Sequence, residues 1–252
     1  MLTEERYEII LRLLDEKKSV TVTELKDFLE TSESTVRRDI TALDKAGMLT
    51  KVFGGAIANE YSVTAHEPTV EQKSQVNLTE KTEIGRYAAD LIKPEDFVYL
   101  DAGTTTGSML QYISEKNAVY VTNAVSHAQR LAADGFRLIL IGGDLKSSTG
   151  AVIGSVAAQM ISRYHFTKGF FGTNGITRKD GYTTPDVREA MIKEMAINQC
   201  RNAYVLADVT KFDEVSAVTF APFDKAQILT EEVPGRYHSC ENIICTGKTK
   251  GH

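Results

Sequence analysis

Beyond Pro94 the sequence alternates short apolar runs with longer stretches of helical periodicity, and this rhythm restricts the fold more than any other feature of the 252 residues. Phe97 to Leu100, Ala118 to Val121, Leu138 to Ile141, Phe166 to Phe171, Ala203 to Ala207 and Ile228 to Leu229 have the length and composition of buried strands. Helical stretches fall between them, near residues 105–116, 126–134, 154–163 and 186–200. Strands that take turns with helices predict an α/β domain built on a largely parallel sheet. Such sheets bind ligands outside the carboxyl ends of their strands, so the residues just after each run are the ones to inspect.

The richest of these ends is Asp101-Ala-Gly-Thr-Thr-Thr-Gly107. Gly103 is expected to turn the backbone tightly, while Thr104, Thr105 and Thr106 offer hydroxyls beside the free N–H groups of a helix start. That arrangement suits an anion. Thr122-Asn123, Gly142-Gly143, Gly172-Thr-Asn-Gly175 and Asp208-Val-Thr-Lys-Phe212 close other runs. Together such ends would ring a small polyhydroxylated, phosphorylated ligand. Ahead of the first strand, from about Glu71, a helical stretch turns Leu78, Ile84, Ala88, Leu91 and Ile92 inward and leaves Lys73 and Lys81 available to a neighbouring site.

Asp101, Glu189, Lys193 and Asp208 include groups able to move a proton, so a sugar-phosphate isomerase-like enzyme with an accessory N-terminal domain is the alternative reading. Neither GxxxxGK[ST] nor a clear GxGxxG occurs, which argues against a nucleotide cofactor. Cys200, Cys240 and Cys245 lack ligand spacing, so neither a metal site nor a disulfide framework is expected. No apolar run reaches the roughly 18 residues of a membrane span. A soluble cytoplasmic chain, without cofactor or membrane partner, is the expectation.

The first 58 residues follow another pattern. After Thr3, the residues Ile9, Ile10, Leu13 and Leu14 share one face of a helix. Val20-Thr-Val22 is β-prone, Thr23 is placed to cap a short helix with Leu25, Phe28 and Leu29 inward, and Ser32 is placed to cap the next. In that third helix, about Glu33 to Ala46, Val36, Ile40 and Leu43 fall within about 60° of one another. Ser34, Arg37, Arg38, Thr41 and Lys45 lie opposite, with Thr35 in the first turn, and Gly47 is expected to end the helix. Leu49 to Ala56 reads as a strand and glycine turn, a wing with Lys51 placed to meet a phosphate. A net charge of −5 argues against a protein that coats nucleic acid along its whole surface. Residues 34–51, however, carry four Lys and Arg against two Asp, so a DNA contact would be local, through a helix suited to the major groove.

The run Ser32-Glu-Ser-Thr-Val-Arg-Arg-Asp39, with Gly54-Gly55-Ala56 after it, resembles the DeoR family of bacterial repressors, and the strand-end motifs resemble that family's sensor domain. The resemblance covers nearly the whole chain. It implies an α/β sensor domain similar to ribose-5-phosphate isomerase, preceded by a small N-terminal winged helix-turn-helix. The implied division is a DNA-binding domain over 1–58, a linker over 59–70 and a sugar-phosphate-sensing domain over 71–252. It further implies a non-enzymatic repressor of a sugar-utilisation operon, released by a phosphorylated sugar. Carried onto this sequence, the effector loop is Asp101, Gly103, Thr104, Thr105 and Thr106, and the other implied pocket residues are Lys73, Lys81, Asn123, Lys193, Asp208 and Lys211. Phe171-Gly-Thr-Asn-Gly-Ile176, followed by Asp180 to Asp186 and Glu189-Ala190, is most similar to the fructose operon repressors of Gram-positive bacteria, which makes fructose 1-phosphate the first effector to consider. One winged helix touches too little DNA for secure specificity, so a homo-oligomer, a dimer or tetramer, on a repeated or palindromic operator is expected.

Overall fold

Thr21 and Glu24 fix the entry to the second helix: Thr21 Oγ1 accepts from the Glu24 N–H at 3.1 Å, while Glu24 Oε2 accepts from the Thr21 N–H at 2.8 Å. This reciprocal cap satisfies two amides at once, which is why Thr21 and not the expected Thr23 caps the helix. The computed structural model describes residues 3–17, 19–45, 48–52, 54–57, 63–64 and 70–247. Contacts divide the chain into two units, Met1–Ser62 and Val63–His252.

The N-terminal unit runs α1 (Thr3–Lys17), β1 (Ser19–Thr21), α2 (Val22–Phe28), α3 (Glu33–Lys45), β2 (Thr50–Val52) and β3 (Gly55–Ile57). Its core joins Ile10, Leu13 and Leu14 of α1 to Val22, Leu25, Leu29, Val36, Ile40, Leu43 and Leu49. Phe28 departs from expectation: it is 54% exposed, because the seven-residue α2 turns only Val22 and Leu25 inward. Ser32 caps α3 as expected, its Oγ accepting from the Thr35 N–H at 3.3 Å. The three short strands form an antiparallel sheet in the order β1-β3-β2. Gly54 takes φ +86° at the wing's tip, and a Cβ on Gly55 would fall 2.1 Å from the Val20 carbonyl oxygen. Both positions therefore require glycine. The expected helix end at Gly47 lies outside the described residues, as do 59–62 and 65–69 of the expected linker, including Pro68.

The larger unit opens with β4 (Val63–Thr64), α4 (Val70–Ser74), α5 (Leu78–Asp90), β5 (Phe97–Leu100), α6 (Thr104–Met109), β6 (Val119–Thr122), α7 (Val125–Ala133) and β7 (Arg137–Leu140). It continues through β8 (Asp144–Lys146), β9 (Ala151–Ile153), α8 (Ser155–Ile161), β10 (Phe166–Gly172), β11 (Gly175–Thr177), β12 (Gly181–Thr184) and α9 (Val187–Asn198). The last elements are β13 (Cys200–Leu206), β14 (Val215–Ser216), β15 (Val218–Ala221), β16 (Gln227–Thr230) and β17 (Ile243–Cys245). A seven-stranded parallel sheet in the order β17-β16-β13-β10-β5-β6-β7 carries all six strands expected from the apolar runs, with β17 added at the edge.

The period-two alternation sorts this sheet's side chains into two cores. Tyr99, Val121, Phe171 and Val205 face one side with Ala157 and Ile161 of α8 and Ile192 and Ala196 of α9. Val98, Leu100, Tyr120, Phe170 and Leu206 face the other with Ile84 and Ala88 of α5, Met109 of α6 and Leu131 of α7. Leu78, expected inward, is 55% exposed at the first position of α5. Three residues of the expected linker are part of this unit's structure: Val63 and Thr64 in β4, which pairs in parallel with β14, and Val70 at the start of α4. Among the described residues no helix is long and apolar enough to cross a membrane.

Candidate functional site

From β5 the chain proceeds to β6 and β7 on one side, whereas β10, β13, β16 and β17 build out the other. The order of a parallel sheet therefore reverses between β5 and β10, and at such a point the connections diverge and leave a crevice beyond the strands' carboxyl ends. A cavity of about 260 Å³ lies there. Its walls include Ala102, Gly103, Thr104 and Thr105 after β5, Gly172, Thr173 and Asn174 after β10, and Asp208 and Lys211 after β13. The α4–α5 region adds Val70, Lys73, Val76, Asn77 and Lys81, and Thr149, Glu189 and Lys193 complete the lining.

A buried ion pair sets the floor. Asp101 and Lys193 are 1% and 5% exposed, and Asp101 Oδ2 accepts from Lys193 Nζ and, at 3.0 Å, from the Gly172 N–H. Lys193 Nζ also donates to the Gly172 carbonyl at 3.0 Å, so the pair ties the end of β5 to the end of β10. Burial raises the Asp101 carboxyl above the ordinary carboxylate range and the Lys193 ammonium opposes the rise. Thr106 is wholly buried and donates to the carbonyls of Asp101 and Gly103 at 2.8 and 3.0 Å. Asn123 Oδ1 accepts from the Ala102 N–H at 3.0 Å, while its Nδ2 donates to the Val152 carbonyl. Asp101, Thr106 and Asn123 thus stand behind the lining and hold the loop in shape. Gly103 does not turn: its φ of 176° is extended backbone, and a Cβ there would meet Thr106 Oγ1 at 3.1 Å. Thr104 and Thr105 face the cavity, and among the described residues no hydrogen bond engages either hydroxyl.

Opposite the loop, Lys81 is buried and its Nζ donates to the carbonyls of Lys73 and Val76. Burial lowers its pKa, and Asp208 acts against that shift. Asp208 is 1% exposed; its Oδ1 accepts from Asn77 Nδ2 at 3.1 Å, the Thr210 N–H at 3.2 Å and the Thr210 hydroxyl, whereas Oδ2 has no partner. Glu189 accepts from Thr149 Oγ1 at 2.6 Å and pairs with Lys146 at 3.2 Å. Asn77 and Thr149 escaped the sequence reading because a single polar residue in a turn has no periodic signal. Among the described residues no group of His, Cys, Asp or Glu is arranged to hold a metal ion.

The α3 surface is built in the opposite sense. Arg37, Arg38, Lys45 and, on β2, Lys51 are exposed. Arg37 lies 3.5 Å from Glu33, and among the described residues neither Arg38 nor Lys45 has an acidic partner. Asp39, adjacent in sequence, is turned into the core, where its oxygens accept from Arg6 at 2.6 and 3.1 Å. Lys51 Nζ donates to Thr41 Oγ1 at 2.9 Å, which joins wing to helix. The hydroxyls of Ser34 and Thr35 each share a 2.9 Å hydrogen bond with Ser32 Oγ.

Residues 6–62 match the DeoR-like helix-turn-helix domain, and residues 76–232 match the DeoR C terminal sensor domain. The uncharacterized HTH-type transcriptional regulator FruR of Bacillus subtilis (strain 168) is 41% identical over 92% of this chain and 92% of its own. The lactose phosphotransferase system repressor of Streptococcus mutans is 32% identical over 87% of this chain and 88% of its own. Among solved structures, ribose 5-phosphate isomerase A of Methanocaldococcus jannaschii overlaps 54% of this chain and 55% of its own at 11% identity and a TM-score of 0.41. With both domains matched in order and these relatives aligned over most of its length, the chain belongs to the DeoR family of helix-turn-helix transcriptional regulators.

Proposed function

We propose that this regulator represses a sugar-utilisation operon and that a phosphorylated sugar in the cavity of the larger unit releases it from operator DNA. The observation that carries the ligand class is the charge and donor arrangement of that cavity: two unengaged threonine hydroxyls on one wall, with Lys73, Lys81 and Lys211 among the other lining residues. Asp101 and Glu189 are already matched by Lys193 and Lys146. The ammonium groups of Lys81 and Lys211 favour an anionic ligand overall, and the unpartnered Asp208 oxygen suits a hydroxyl. The similarity to a lactose phosphotransferase system repressor supports a carbohydrate operon.

Arg37 and Arg38 would read base edges in the major groove from α3, with Ser34, Thr35, Thr41, Lys45 and Lys51 at bases or phosphates. The DNA-binding domain would end near residue 58, the larger unit that begins at Val63 would carry the sensing function, and a homo-oligomer would place two heads on two half-sites. By linkage, an effector that prefers the arrangement incompatible with operator lowers DNA affinity, and operator lowers effector affinity equally. The test is a footprint on the DNA upstream of its own gene, with and without fructose 1-phosphate, fructose 6-phosphate and tagatose 6-phosphate. Protection that one of these abolishes is the expected result. Absence of any footprint defeats the operator reading, and a footprint indifferent to all three defeats the effector reading.

A further inference from the structure

Asn77 occupies the N-cap position of α5 but does not cap it. Its backbone sits in the left-handed region at φ 53°, ψ 46°, and its side chain makes no cap hydrogen bond. The amide reaches across to the end of β13 instead, where Nδ2 donates to Asp208 Oδ1 at 3.1 Å and lies 3.5 Å from Thr210 Oγ1. A helix gives up a stabilising cap here, and the backbone takes a conformation that asparagine tolerates better than most residues but still at some cost. The gain is local: three donors converge on one oxygen of Asp208 and fix the carboxylate plane.

The other oxygen is the consequence. Asp208 Oδ2 is buried and has no hydrogen-bond partner, although Asp208 lines the cavity. A buried carboxylate oxygen without a partner carries a desolvation cost that a ligand can relieve. The nearby ammonium of Lys81 does not close the gap, since it is spent on the carbonyls of Lys73 and Val76 and forms no ion pair with Asp208 among the described residues. A carboxylate only accepts, so the ligand must present a donor at this point. A phosphate oxygen at hydrogen-bonding distance from Oδ2 itself would be repelled by it, and Glu231, whose carboxyl is raised by burial and by the Asp208 charge, adds to the negative field. A ligand ammonium would meet the charges of Lys81 and Lys211, which already lie on this side of the cavity. A neutral hydroxyl is the donor that fits.

We propose that Asn77 is a positioning residue that makes Asp208 Oδ2 an obligatory acceptor for a ligand hydroxyl, so that the cavity takes a polyhydroxylated monophosphate and discriminates strongly against a bare phosphate or a bisphosphate. This inference rests on the sugar-phosphate reading of the same cavity and adds the polarity of its two ends: phosphate at Thr104 and Thr105, hydroxyl at Asp208. A site built to hydrogen-bond a hydroxyl rejects ligands that lack it, because its own buried group is then left unpaired.

Calorimetric titration of the full chain with inorganic phosphate, fructose 1-phosphate, fructose 6-phosphate, tagatose 6-phosphate and fructose 1,6-bisphosphate tests it, alongside Asn77→Gly and Asp208→Asn. Glycine keeps the left-handed backbone accessible while removing the amide, so a loss in Asn77→Gly does not come from backbone strain. The expected result is a best monophosphate bound at least about a hundredfold more tightly than inorganic phosphate, with that margin cut about tenfold in Asn77→Gly and further in Asp208→Asn. Inorganic phosphate itself should bind Asn77→Gly within about twofold of the unmodified chain, an outcome that a general loosening of the cavity would not give. A monophosphate that binds tightly but loses equally with inorganic phosphate in both variants, or a bisphosphate preferred over every monophosphate, overturns the inference and leaves the sugar-phosphate reading in place. Binding of none of these probes overturns that reading and this one with it.

Discussion

The two units use charge in opposite directions. On α3 the cations point outward, and Asp39, the acidic residue next to Arg38 in sequence, is folded away against Arg6. At the cavity of the larger unit the cations point inward, and the carboxylates beside them are held by partners except for one oxygen of Asp208. An outward cationic face with few internal partners suits a polyanion larger than the unit itself, whereas an inward one with a matched floor suits a ligand small enough to be enclosed. One buried ion pair stands under each arrangement: Arg6 with Asp39 in the first unit, Lys193 with Asp101 in the second.

Breaking either pair gives the largest effect, because the survivor is a buried charge without compensation. Arg6→Met should cost the N-terminal unit about 3 to 5 kcal/mol and abolish operator binding, with sugar-phosphate binding retained. Lys193→Met should cost the larger unit a similar amount, about 3 to 5 kcal/mol, and its penalty should depend on pH. Burial already holds the Asp101 carboxyl above its ordinary range against the pull of Lys193, so without that ammonium it rises further. A carboxyl raised in the folded state favours the fold when protonated and loses that contribution as pH climbs through its folded value. The Lys193→Met deficit is therefore greatest near neutral pH and shrinks in mild acid. Urea denaturation of the full chain at the two pH values, followed separately by operator and ligand binding, measures both; a pH-independent deficit would show that Asp101 is not the group left exposed to the cavity's electrostatics.

The outward face gives effects of intermediate size. Arg37→Ala or Arg38→Ala should lower operator affinity by about 1 to 3 kcal/mol and relax base preference. Lys51→Ala should weaken all sequences alike and flatten the dependence on salt. Its hydrogen bond to Thr41 puts a limit on this distinction, since a lysine that braces the helix as well as touching phosphate would also alter base preference. Anisotropy titrations on operator and scrambled DNA at several salt concentrations separate the cases, and unchanged affinity in both arginine variants would remove α3 as the reading helix.

What the sequence revealed follows the same division. Strands and helices that bury a repeating face were legible, because Val98 against Tyr99 and Phe170 against Phe171 announce a sheet covered on both sides. Apolar identity alone misled at Phe28 and Leu78, which sit at the ends of helices and face outward. The strands β8, β9, β11 and β14 have two or three residues each, too few for a period to show. At the cavity the Asp101 to Thr106 motif was visible, yet its inner half proved to be scaffold: Thr106 is consumed by the loop's own carbonyls. The burial of Asp39 was invisible because its partner lies 33 residues away, and local charge counting scored it as a surface acid.

The smallest predicted effect concerns the stretch just before the cavity, where the comparison between the units is sharpest within a few residues. Lys81 is a cation of the inward kind, but its ammonium is bound to the carbonyls of Lys73 and Val76 and not to a carboxylate. Beside these bonds, α4 has five residues, the Val70 N–H reaches the Ser148 carbonyl at 3.4 Å, and Asn77 holds Asp208. Hydrogen bonds from a charged donor are stronger than neutral ones, so Lys81→Met should release this stretch without unfolding the sheet beneath it. Amide exchange at 70–77 should then accelerate about tenfold, with the amides of β5 and β13 unchanged. A sugar phosphate that draws the ammonium toward itself should produce part of the same acceleration in the unmodified chain while protecting residues 101–107. Protection of both segments would mean instead that Lys81 keeps its carbonyl partners when the cavity is filled, and that the stretch leading into this unit tightens on ligand binding.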